Sequence, residues 1–412
     1  MLTLRRSSVA AAVVTALLVG SQVPAATAQD NEPTELVDRL LLNPGADAGT
    51  SMAVTFRANT DGATVDYRQS GTEAVESVIA ESKGSTDQGV HQSVRLTDLE
   101  PGTSYDYRVV SEGESGPWHT FTTSTAGPQQ MLFFGDAQNG LDNEWQATTA
   151  AARAAMPDPD LILQSGDMIN INTDDSEWGN WYEGLAPELV DTPLLTAIGN
   201  HELTPDLTGR PYHHHVTNPQ NGPTALSNTS YYVDQGGVRY VVLTANMLLL
   251  NQQAEFLDAA LADNPNDWSV VMFHQPVYNS STNRDDGINE RFFGEVLERH
   301  GVDLVLNGHD HAYARGEKSE DGPVYLVATA GSKFYPTSAQ NPAWDNRGAN
   351  RVTWAQDLST YQTLTLDGCS MSVQSVVTVV GEDPQSSNGA RAVGDVLDDF
   401  TIDKCGETKV VN

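Results

Sequence analysis

Val302-Asp303-Leu304-Val305-Leu306-Asn307-Gly308-His309-Asp310-His311 is the stretch whose reading decides the fold. Its first five residues form an apolar run of buried-strand length. The run ends in a glycine and two histidines two residues apart. Imidazoles at that spacing, on the turn that closes a strand, can reach two neighbouring metal ions, and imidazole is the commonest protein metal ligand near neutral pH. One His-x-His on a surface loop carries little weight. Four earlier stretches of the same form give it weight.

Each of these passes from a short apolar segment into a metal-ligand residue type. Residues 131–134 lead into Gly135-Asp136, and 161–163 into Ser165-Gly166-Asp167. Residues 194–198 lead into Gly199-Asn200-His201-Glu202, and 268–273 into His274-Gln275-Pro276. Helix-like segments over 143–155, 252–262 and 289–300 lie between them, and 238–243 reads as a further buried strand. Strands alternating with helices predict an α/β layered fold. In open α/β folds, sites gather at the carboxyl ends of the strands. His201, His274, His309 and His311 are four of the ten histidines in the chain, which argues against a chance series.

Carboxylate, amide and imidazole ligands favour divalent first-row metals such as Mn, Fe or Zn over Ca or Mg alone. A carboxylate shared by two ions holds them about 3.5–4 Å apart, and such a pair lowers the pKa of water to give a hydroxide nucleophile. Phosphate ester hydrolysis is the reaction that suits it.

The chain ahead of this region reads as all-β. Residues 51–57 alternate, with Met52, Val54 and Phe56 on one face, and 64–68 and 91–96 are further strands. Leu99-Glu100-Pro101-Gly102-Thr103-Ser104-Tyr105 has the form of a tyrosine corner. Residues 33–125 therefore resemble a fibronectin type III-like β-sandwich whose strand aromatics are core. A second domain spans 128–412.

Arg5-Arg6, the short apolar run from Val9 to Gly20 and Ala26-Thr27-Ala28 predict a signal peptide over 1–28. Cleavage near Ala28 leaves a secreted or cell-surface protein; an uncleaved anchor is the alternative. No later segment reaches membrane-span length. With 22 Lys+Arg against 55 Asp+Glu, the net charge of −33 argues against a nucleic-acid-binding surface. An anionic substrate then needs a local positive site. Cys369 and Cys405 are the two cysteines; in an exported protein they form one disulfide, the alternative being two buried thiols. Oligomeric state is not legible.

Residues 130–315 resemble the calcineurin-like metallophosphoesterases, and with the sandwich in front the chain is similar to the purple acid phosphatase-like enzymes. The likeness runs through Gly308-His309-Asp310-His311-Ala312-Tyr313-Ala314-Arg315 to the closing Asp398-Asp399-Phe400-Thr401-Ile402-Asp403-Lys404. It implies an αββα-layered metallophosphoesterase domain after the sandwich. It also implies that Asp136 and His311 bind a first metal, that Asn200, His274 and His309 bind a second, and that Asp167 bridges them. His201 would sit over the phosphate and protonate the leaving oxygen. Glu202 orients His201 or has a structural role.

Two positions depart from the family. Purple acid phosphatases carry a colour-giving tyrosine three residues after the bridging aspartate, where this chain has Asn170. Other members carry a histidine two residues after the first aspartate, where this chain has Gln138. Whether each ligates through its carbonyl oxygen or leaves its place to water is open. The extra histidine that plant-type members carry after the strand-end His is also missing. Arg284 is a candidate phosphate clamp, or else a solvated loop arginine. Asn200 and Tyr313 are further candidate substrate contacts. Tyr212-His213-His214-His215 either overhangs the site or packs as an ordinary loop. Trp178 and Trp181 read as core.

These readings predict a secreted dimetal phosphohydrolase acting on phosphate esters, a phosphomonoesterase first. A phosphodiesterase or nucleotide hydrolase is the alternative within the class. A non-catalytic surface-binding protein on the same fold is the alternative outside it.

Overall fold

Alternate side chains of the second domain's strands enter separate hydrophobic cores, and that separation defines the layers. The computed structural model describes residues 36–412 except 283, 285 and 286. The signal peptide expected over 1–28 lies outside the described residues. From the strand Gln129–Phe134, Met131 and Phe133 enter a central core with Leu163, Val242, Met272 and Leu306. Leu132 and Phe134 point the other way, to Trp145, Trp178 and Trp181 of the helices Glu144–Ala155 and Asp175–Leu185. On the far side, Val241, Val271 and Val305 meet Leu257 and Leu261 of the helix Leu250–Ala262. The order is helix, sheet, sheet, helix. Strands covered on both faces read as near-continuous apolar runs, which is why they stand out in the sequence.

Leu194–Thr196, Leu161–Gln164 and Gln129–Phe134 form one parallel series. Val238–Val242, Trp268–Met272, Leu304–Asn307 and Val324–Val327 form another. The long strand Asn350–Asp367 pairs antiparallel with Gln129–Phe134 and with Tyr313–Glu317, joining the two series into one 13-stranded ladder. Its hairpin partner is the strand Ser370–Ser386. Cys369, at that hairpin's turn, is disulfide-bonded to Cys405.

The helix Asp175–Leu185 carries an apolar stripe at Trp178, Trp181, Tyr182 and Leu185 and is well capped: the Asp174 side chain accepts from the Ser176 and Glu177 amides. It buries both tryptophans, as the sequence suggests.

The leading domain is a β-sandwich of a four-stranded and a five-stranded sheet. Its tyrosine corner is formed, with the Glu100 amide donating to the Tyr105 hydroxyl at 2.9 Å. Met52, Val54 and Phe56 fill its core. The other face of the strand Met52–Ala58 is buried too, because the second domain covers it. Thr55 bonds Thr217 hydroxyl to hydroxyl at 2.7 Å, and Arg57 reaches Asp175 at 2.8 Å. Leu36–Asn412 form one compact unit. Among the described residues no helix is long and apolar enough to cross a membrane.

Candidate metal centre

Five strands end at one place. Gln129–Phe134, Leu161–Gln164, Leu194–Thr196, Trp268–Met272 and Leu304–Asn307 are followed by Asp136, Asp167, Asn200, His274 and the pair His309 and His311. Ligand atoms of Asp167, His274 and His309 lie within 4.8 Å of one another, and so do those of Asp136, Asp167 and His311. Asp167 belongs to both groups. His274 Nε2 is 2.9 Å from Asp167 Oδ2 and 3.8 Å from Asp136 Oδ1. His311 Nε2 is likewise 3.8 Å from Asp136 Oδ1, and His309 Nδ1 is 3.2 Å from His274 Nε2. Gln138 Nε2 donates to Asp167 Oδ2 at 2.7 Å and lies 3.3 Å from His311 Nε2.

The backbone is bent to bring these groups together. Asp167, His309 and His311 hold φ values of 49°, 71° and 47°. Non-glycine residues rarely occupy this left-handed region, and such outliers cluster at functional sites. Two glycines permit the close approach. A Cβ on Gly199 would lie 2.2 Å from Asp167 Oδ1, and one on Gly308 would lie 2.6 Å from Asp136 Oδ2. The recurring glycine of the sequence motifs is thus a clearance requirement at these two positions.

Charge is unbalanced here. Asp136 and Asp167 are both fully buried. Burial pushes Asp136 up to about 7, with Asp167 adding to the rise and His274 opposing it. Burial also works to raise Asp167, but His274 and His201 override it and hold this carboxyl well below its usual range. Burial opposes charge on His274, yet Asp167 and Asp136 draw its pKa up to about 9. His309 and His311 are both driven down, chiefly by burial.

The residues fit a pair of cations. Asp136 Oδ1, Gln138 Oε1, Asn200 Oδ1 and His311 Nδ1 are buried without a hydrogen-bond partner. Each such group costs about 1–3 kcal/mol, so several together at one strand edge call for a ligand. The ring of His274 is fixed by its Nδ1, 3.0 Å from the Ser165 carbonyl, which leaves Nε2 facing the carboxylates.

His201 sits beside the cluster, its Nε2 4.0 Å from Asp167 Oδ2. Its other nitrogen, Nδ1, is 2.6 Å from the Asn170 carbonyl. Asn170 therefore acts on the site through its main chain. Glu202 does not orient His201. Its buried carboxylate instead accepts from the amides of Asp167 (2.9 Å), Met168 (2.8 Å) and Gly199 (2.6 Å), bracing two ligand turns.

Tyr313 is a correction. It is 1% exposed, packs in the central core, donates its hydroxyl to Asp398 and shares a hydrogen bond with the Ser375 hydroxyl. As the first residue of the strand Tyr313–Glu317 it faces the inter-sheet core rather than an open surface. Arg284 does lie at the site, with Nη1 3.0 Å from the His309 carbonyl and 3.3 Å from Asp310 Oδ1. The histidine run packs at the domain junction. His214 and His215 lie against His91 of the sandwich, at ring separations of 5.0 and 4.7 Å.

Sequence reasoning missed the segment after Val324–Val327. The Ala330 and Gly331 amides donate to the Asp136 carbonyl, and the Tyr335 amide donates to the His311 carbonyl. Its place follows from the pairing: this strand is parallel to Leu304–Asn307, so its C-terminal loop emerges on the same edge.

Fold and cluster define a class, a layered α/β protein with a buried Asp/His centre at its strand ends. Comparison with known families agrees. Residues 130–313 match the calcineurin-like phosphoesterase family, and residues 37–123 match the purple acid phosphatase N-terminal domain. The chain therefore joins a calcineurin-like phosphoesterase domain to a purple acid phosphatase N-terminal domain. Purple acid phosphatase 23 of Arabidopsis thaliana is 26% identical over 60% of this chain and 63% of its own length. Acid phosphatase type 7 of Mus musculus is 26% identical over 54% of this chain and 56% of its own. The chain thus spans between half and two thirds of the length of these curated relatives. Among solved structures, purple acid phosphatase PPD1 from yellow lupin (Lupinus luteus) seeds superposes with a TM-score of 0.72 at 18% identity. The match covers 85% of this chain and 74% of that one, a likeness of fold.

Proposed function

We propose that this chain is a secreted, metal-dependent phosphoric ester hydrolase, with phosphomonoesters as its first substrate class. The observation that carries the reading is the presence of Asp167 in both ligand groups. In this reading Asp136 and His311 hold one ion, Asn200, His274 and His309 hold the other, and Asp167 lies between them. Gln138 completes the first group in preference to Asn170, since its side chain already lies against Asp167 and His311. The donor set suits Mn, Fe or Zn. When bound, such a pair supplies Lewis acidity toward phosphoryl oxygens and a hydroxide nucleophile at neutral pH.

The chain's own residues do the rest. The Asn170 carbonyl fixes one nitrogen of His201, so the other faces the centre and can protonate the leaving oxygen. Arg284, held by the His309 carbonyl and Asp310, is the candidate phosphate clamp on the His309 side. With asparagine at position 170 there is no tyrosine to give a purple band, so the protein is colourless.

The test is hydrolysis of aryl phosphate mono- and diesters by the purified protein with added Mn, Zn or Fe. Turnover favouring the monoester, lowered ~10²-fold or more in His201→Ala, supports the reading. Preference for the diester moves the assignment to the alternative substrate class. No hydrolysis with any metal favours the surface-binding protein.

A further inference from the structure

The loop 330–335 is fastened to both ends of the metal centre. Ala330 and Gly331 donate to the Asp136 carbonyl, Ser332 donates to the Asn139 carbonyl, and Tyr335 donates to the His311 carbonyl. Between these anchors lies Lys333. Its ammonium is 5.5 Å from the centroid of the Tyr335 ring, and that ring stands edge-on to His311 at 5.0 Å. Arg284 approaches the same ring at 4.9 Å. The two cations differ. Arg284 is neutralised by Asp310, whereas Lys333 makes no ion pair among the described residues. A chain of net charge −33 thus keeps a half-buried lysine, without an ion pair among the described residues, beside its candidate centre.

An attractive contact of this kind, within a Debye length and partly shielded, scales with the charge of what it meets. A phosphomonoester carries two negative charges at neutral pH and a diester one. We propose that Lys333, set against Tyr335 on this loop, is a specificity-determining residue that contacts the phosphoryl group and favours the dianionic monoester. The inference rests on the hydrolase reading and names the substrate charge that the site selects.

The experiment compares wild type with Lys333→Met, which keeps the aliphatic stem, and Lys333→Arg, which keeps the charge. Metal content, kcat/KM on an aryl monoester and on the matching diester, and affinity for inorganic phosphate are measured on the metal-loaded proteins. The expected result is unchanged metal content, a monoester kcat/KM lowered ~10-fold or more in Lys333→Met, and a diester value lowered less than ~3-fold. Phosphate binds Lys333→Met ~10-fold more weakly, and Lys333→Arg recovers most of both losses. Equal losses on the two esters, no loss on either, or loss of metal from Lys333→Met overturns the inference while wild-type turnover keeps the hydrolase reading. If the wild type cleaves neither ester, the hydrolase reading fails and phosphate affinity alone decides. A ~10-fold weakening then sustains Lys333 as an anion contact, and no change overturns it.

Discussion

Gln138 donates its side-chain amide to the Asp167 carboxylate at 2.7 Å, while its carbonyl oxygen is buried without a partner. An amide oxygen is a weaker ligand than imidazole for Fe or Zn. Gln138→His therefore raises affinity for one of two ions by ~10-fold or more and leaves the other unchanged. Chelator competition measures both steps. Equal affinities in the two proteins would remove Gln138 from the centre.

Glu202 is the brace under Asp167. Glu202→Ala leaves the Asp167, Met168 and Gly199 amides without their acceptor, at a cost of about 1–3 kcal/mol for each buried group that water does not reach. Chemical denaturation of the metal-free protein reads the loss, and metal affinity falls with it because Asp167 is no longer held in its left-handed turn. A variant as stable as wild type, with full metal affinity, contradicts this role.

Acid destabilises the domain junction. Burial holds His91 down to about 3, with His214, Arg57 and Arg39 adding to the effect and Asp175 opposing it. Burial also drives His215 well below its ordinary value. Between the ordinary histidine value of ~6.5 and these depressed values, the unfolded chain binds protons that the folded chain does not. Stability is therefore full above ~pH 6.5 and falls on acidification, by about 1.4 kcal/mol per pH unit for each such group. Denaturation curves between pH 7.5 and 4.5 show the decline, and His91→Gln lowers its slope by one proton. An identical slope in the variant would place the acid sensitivity elsewhere.

The sequence reveals the centre because each ligand closes a strand buried on both faces, and such strands are apolar without interruption. Asp136, Asp167, His274, His309 and His311 all follow this rule and converge. Tyr313 misleads because it follows the histidine pair directly, while pairing with Ala355 turns it into the sheet core. Of the two roles open to Glu202, adjacency suggests a contact with His201, whereas its partners are amides about thirty-five residues away in sequence and three residues away, the structural role. Lys333 and Tyr335 lie in a loop with no periodic signal. Only the parallel pairing of Val324–Val327 with Leu304–Asn307 brings that loop to the site.

The measurement that bears most directly on the shared aspartate is metal stoichiometry by native mass spectrometry. Wild type, Asp136→Ala and Asp167→Ala are compared after loading with Mn or Zn, with circular dichroism to show that each is folded. A centre bridged by Asp167 gives two ions per chain in the wild type, one in Asp136→Ala and none in Asp167→Ala. A wild type that binds a single ion, or a folded Asp167→Ala that keeps two, contradicts it.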